Sequence, residues 1–165
     1  MLLSLHPPFS SLYIKCLLAG KDIIPGLCKR IMIHSEHDVE DHLNVVERCC
    51  HALATCLLYK ANHERFYRIS GLEAMVKIMK QTKIKRVVAA VSMMIVCCVP
   101  GPEQMLQWHH QEYSIPVEKV DALPVLKKAK FEGFGHLPQP PDWLTRALIL
   151  LSLTDEGMYF LSCLV

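Results

Sequence analysis

The sequence predicts an all-α chain built as a fragment of a helical solenoid. Three observations predict it. Every long periodic segment repeats its apolar residues at helical spacing, and none alternates in the manner of a half-buried strand. An apolar stretch rich in Ala, Cys or Leu, followed by a break and usually by a Gly- or Pro-led amphipathic stretch, recurs loosely three times. The copies beginning at Val45 and Arg86 are about 40 residues apart, a spacing that marks stacked helical repeats. The third apolar stretch is Leu144–Leu153.

The first ten residues, MLLSLHPPFS, lack a basic leader and are interrupted by His6-Pro7-Pro8, so 1–10 is expected to be loosely packed. Residues 11–165 carry the repeats. Ser11–Ile33 reads as helical with a break at Gly20, and Asp22-Ile23-Ile24-Pro25 opens a helix through Leu27, Cys28 and Ile31. Ser35 and Asp38 have capping-box spacing, which predicts a helix from Ser35 to Tyr59. Leu43, Val46, Cys50, Leu53, Ala54 and Leu57 form its apolar face. Lys60–Arg65 reads as a polar link and Phe66–Ile69 as a short helical turn. Ser70 is the expected N-cap of Gly71–Gln81, whose Leu72, Met75, Val76 and Met79 share a face and whose Glu73 and Lys77 are spaced to pair.

The Arg86–Cys98 helix should stop at Pro100-Gly101-Pro102, because proline cannot continue it. Its core contribution is Val91, Met94 and Ile95. Glu103–His110 and Pro116–Lys130 are further helices, with Pro124 starting or kinking the second. Phe131–Pro141 (FEGFGHLPQPP) is the expected Pro/Gly-rich loop. Asp142 caps the last full helix, Trp143–Leu153, which Thr154–Gly157 should break before Met158–Val165 begins another. An apolar end without a polar cap suggests part of a longer array, since solenoids shield their ends.

Composition narrows the classes. Hydrophobic residues make up 52% and mean hydropathy is +0.23, which suits a packed core and argues against disorder. A net charge of +2 leaves no nucleic-acid footprint over the whole chain. No apolar run reaches the roughly 18 residues of a membrane span, so no membrane partner is expected. The eight cysteines have no disulfide-framework or CxxC spacing, and most lie in apolar helical stretches, which predicts free thiols in the cytosol or nucleus. No GxGxxG, P-loop, GxSxG or HExxH is present.

The stretch Cys49–Met79 resembles the armadillo repeat family. It has the small-residue helix Cys49–Ala54, the Phe66–Ile69 turn, and Ser70–Met79, which is similar to a glycine-led helix of that family. Lys21–Arg30 and Val120–Lys128 look like weaker copies of the last element. The neighbouring HEAT family is barely separable from it by sequence. The resemblance implies a right-handed superhelix, no catalysis, no cofactor, and a concave groove for extended peptides. It implies that Glu73, Lys77 and Lys80, with Lys127 and Lys128 of the next copy, line that groove and favour an acidic segment. Trp108 is the candidate apolar anchor.

Three constellations offer other chemistry. His34, Asp38 and His42 are spaced four apart, and His37-Asp38 is similar to the adjacent pair of HD-type hydrolases. With Asp41 they make a metal-dependent hydrolase the first alternative; a solvated acidic loop is the plainer reading, and no metal is expected. Lys77, Lys80, Lys83, Lys85 and Arg86 form a basic cluster, so nucleic-acid or transport-related binding is the second alternative; solvated helix ends are the plainer reading. His109-His110 with Glu112 lacks zincin spacing and reads as surface. The function expected is a protein-interaction scaffold, with nucleic acid an unfavoured partner.

Overall fold

The computed structural model describes residues 23–57, 60–99 and 121–162, and every regular element among them is helical. The first ten residues expected to be loosely packed, the helix expected over Glu103–His110, Trp108, the His109-His110 pair, Pro100–Pro102, Cys16 and Cys163 lie outside the described residues. The elements are α1 (described over 23–34), α2 (Glu40–Leu57), α3 (Lys60–Arg68), α4 (Gly71–Gln81), α5 (Lys85–Val96), α6 (Ala122–Lys128) and α7 (Asp142–Ser162). A π-helical turn, Ala129–Gly133, continues α6. No helix among the described residues is long and apolar enough to cross a membrane.

One core runs through all seven helices. The most extensive helix pairing is α2 on α5, and α5 also touches α4, α6, the π turn and α7. Leu53, Ala54 and Leu57 of α2, Leu72, Met75, Val76 and Met79 of α4, and Val91, Met94 and Ile95 of α5 are all buried, as their helical spacing predicts. Ile24, Cys28 and Ile31 bring α1 into the same core, while Leu144, Ala147 and Leu151 bring α7. Cys28, Cys49, Cys50, Cys56 and Cys98 are buried free thiols, and Cys97 is a half-buried one. Burial pushes the Cys28 thiol up to about 12 and raises Cys50 and Cys98 too, so these groups pack as small apolar side chains.

Four boundaries differ from expectation, each for a local reason. Ser35 does not start α2. Its amide donates to Ile31 O at 2.9 Å and its hydroxyl to Met32 O at 3.1 Å, so it closes α1, and α2 begins at Glu40. Lys60–Arg65 is helix rather than link. There, buried Asn62 donates Nδ2 to Cys56 O at 2.8 Å and His63 Nε2 donates to Leu57 O, covering carbonyls that the end of α2 leaves unpaired. The expected loop loses its first three residues to the π turn, where Phe134 N donates to Ala129 O at 3.1 Å. Irregular backbone covers only 134–141. Thr154–Gly157 does not break α7, which runs on to Ser162. A single glycine costs a helix about 1 kcal/mol and, without proline, does not end it.

Ser70 does precede α4, but not as a hydrogen-bonding cap. It sits in the left-handed region (φ 53°, ψ 36°) and its side chain makes no cap bond. Asp121 precedes α6 with nearly the same backbone (φ 53°, ψ 44°), again without a side-chain cap bond. Two segments matched in sequence therefore share an unusual helix start.

Candidate functional site

The expected groove residues divide into exposed and committed groups. α4 buries Leu72, Met75, Val76 and Met79 and leaves Glu73, Lys77 and Lys80 exposed. Glu73 and Lys77 are not ion-paired among the described residues. Lys80 reaches across to α6, its Nζ 3.2 Å from Asp121 Oδ2, in a solvent-exposed pair. α6 contacts α4, and Lys127 is exposed on it.

Lys128 departs from the expectation. Its Nζ donates to Met79 O and Thr82 O, at 2.7 Å each, and lies 3.6 Å from Glu132. The last carbonyls of α4 have no intrahelical partners and form the negative end of that helix, so the ammonium turns inward and covers them. Lys128 thus fastens α6 to the end of α4 and is committed there instead of to the exposed face.

Arg86 leaves the basic cluster for a similar reason. Its guanidinium donates from Nε and Nη2 to the Glu47 carboxylate at 2.8 and 2.9 Å, from Nη1 to Glu40 at 2.7 Å, and from Nη2 to Asn44 at 3.2 Å. The forked geometry suits arginine and ties α5 to α2. These bonds hold the Glu47 carboxyl below its ordinary range and raise Arg86 above its own. Of the basic cluster, Lys77, Lys83 and Lys85 stay exposed and outside the ion pairs among the described residues, as does Lys127.

The 34–42 segment gathers imidazoles instead of carboxylates. His34 ends α1, His42 lies in the first turn of α2, and their Nδ1 atoms are 3.0 Å apart. The ring of His37 lies 4.5 Å from that of His42, and the His34 ring 4.8 Å from it. Asp38 and Asp41 are exposed. Among the described residues, no group of three or more His, Cys, Asp or Glu side chains is arranged to hold a metal ion. A spacing of four would put His34 and His42 on one helical face only if the helix began before Ser35, where the sequence placed its start. They meet because α1 and α2 are separate helices joined by a short turn.

An open groove of about 610 Å³ lies between the π turn with its following loop and α7, lined by Lys130, Pro140, Asp142, Leu148 and Ile149 among others. Exposed Ile149 contributes apolar surface there. Trp143 anchors the start of α7 by an edge-to-face contact with Phe134, centroids 5.4 Å apart. No sequence pattern singled this groove out, because the irregular backbone that forms one wall carries no periodicity.

No protein-family model, curated protein or solved structure matches the chain.

Proposed function

We propose that this chain is a non-catalytic protein-interaction module built on armadillo-like helical repeats, acting as a scaffold or adaptor in the cytosol or nucleus. The observation that carries the reading is the order of packing. α2, α5 and α7 contain the three apolar stretches that recur in the sequence, and α5 packs against both α2 and α7. α4 and α6 contain the amphipathic stretches that follow the first and second, and they pack on each other. Equivalent elements of successive copies in contact are what a stacked array requires. The shared left-handed start at Ser70 and Asp121 supports the same equivalence.

The partner proposed is an extended, acidic protein segment lying along the exposed flank of α4 and α6. Glu73, Lys77, Lys80 and Lys127 supply the polar contacts. Each solvent-exposed contact contributes about 1 kcal/mol or less and fades with salt, so apolar anchors must supply most of the affinity. The test is binding of fluorescent acidic and basic peptides of matched length to the whole chain and to a Lys77→Glu/Lys127→Glu variant. Acidic peptides should bind the wild type more tightly, and the variant should lose that preference while keeping its melting temperature. Equal binding by both proteins would remove this face from consideration.

A further inference from the structure

We propose that His34 and His42 form a two-imidazole site for a late first-row divalent cation, with Cu²⁺ and Ni²⁺ as the favoured class. The two Nδ1 atoms face each other at 3.0 Å. A neutral imidazole has one N–H and one lone pair, so facing ring nitrogens at this distance can share one proton between them. When the shared proton moves to Nε2 of its own ring, both Nδ1 lone pairs are available, and a metal ion bound to both sits to one side of the line between the two nitrogens.

The spacing selects the metal. With metal–nitrogen bonds of about 2.0–2.1 Å, nitrogens 3.0 Å apart subtend roughly 90–97° at the ion. That is close to the right angle of tetragonal copper and nickel sites and well below the tetrahedral angle preferred by zinc. Imidazole nitrogen also excludes magnesium and calcium, which take oxygen ligands.

The surroundings favour a held pair over two wandering side chains. His34 and His42 are both half-buried, and the turn between their helices is fixed by the Ser35 bonds to Ile31 O and Met32 O. Glu36, Asp38, Glu40 and Asp41 flank them in sequence and oppose the repulsion that a dication would meet at the start of α2. Water fills the remaining coordination positions, in keeping with a site of two protein ligands. His37 is exposed, its ring tilted 58° against that of His42, and it is not required as a ligand.

The probe is Ni²⁺ titrated into the whole chain, followed by imidazole NMR resonances, which the paramagnetic ion broadens at close range. The His34 and His42 signals should broaden first, at substoichiometric metal, and saturate near one ion per chain. This measurement uses the wild type and needs no variant to fold. A His34→Gln/His42→Gln variant should bind Ni²⁺ about tenfold more weakly or worse, whereas His37→Gln should change affinity by less than about threefold. Ni²⁺ should raise the melting temperature of the wild type and of His37→Gln but not of the double variant. Mg²⁺ should have no effect on either. Broadening that begins at other histidines, wild-type affinity in the double variant, or no saturable Ni²⁺ binding would overturn the proposal.

Discussion

α4 and α6, equivalent elements in the proposed repeat, start alike and end differently, and the differences separate what such a repeat would need from what each helix adds. Both follow a left-handed residue and both bury an apolar flank. α4 opens with Gly71, yet Gly71 is not the left-handed residue; Ser70 is. The glycine is there for another reason. A Cβ on Gly71 would sit 2.3 Å from the ring of Phe66, a fully buried core residue. α6 has Ala122 at the corresponding place, so the helix start itself tolerates a side chain. The apparent glycine signature is thus a packing requirement of one copy, imposed by α3.

The ends differ as well. α4 finishes cleanly at Gln81, with Lys128 covering its carbonyls. α6 widens into the π turn, which brings Gly133 onto the backbone of Ala89 in α5, where a Cβ would lie 3.2 Å from Ala89 N. One copy ends by accepting hydrogen bonds from its neighbour. The other ends by close backbone approach.

The comparison is tested first where the copies should agree. Met75 and Leu126 stand at corresponding places and are both fully buried, so Met75→Ala and Leu126→Ala should each cost about 2–5 kcal/mol in chemical denaturation. A small loss at only one of them would mean that the two helices are not equivalent.

Gly71→Ala is the next largest. The added methyl must displace the Phe66 ring, at about 1–3 kcal/mol, although alanine is the better helix former. A neutral or stabilising result would show that the Phe66 contact does not require glycine here.

Lys128→Met keeps the packed stem and removes the ammonium. It should cost about 1–2 kcal/mol, since the group is largely buried and its two acceptors are left uncovered. No loss would mean that water covers these carbonyls equally well.

The smallest effect has the opposite sign. Ser70→Gly relieves a left-handed serine and should stabilise by up to about 1 kcal/mol after the glycine entropy cost. Asp121→Gly should gain less, because aspartate tolerates this backbone better and the exposed contact to Lys80 is lost. Equal gains at the two sites would show that the Lys80 contact contributes nothing.

Much of the helical architecture was legible because apolar spacing and burial go together: the faces of α2, α4 and α5 follow directly from their 3.6-residue pattern. Two of the misread boundaries share a cause. At Ser35, Asn62 and His63, polar side chains bond to carbonyls at helix ends instead of starting or interrupting helices, and composition does not separate these uses. At the candidate face, Lys77 and Lys127 are exposed as the pattern implied. Lys128 and Arg86 have partners in helices distant in sequence, which no local pattern reveals. The facing imidazoles of His34 and His42 depend on the turn between α1 and α2, which a spacing of four does not reveal.

The central claim is that successive copies stack, with α5 between α2 and α7 and with α6 beside α4. Methyl NOE spectroscopy on the whole chain tests it most directly. The account predicts abundant contacts between α2 and α5, between α5 and α7, and between α4 and α6, with α2 and α7 kept apart by α5. Contacts between α2 and α7 as dense as those between α5 and α7 would describe a closed bundle and contradict the stack.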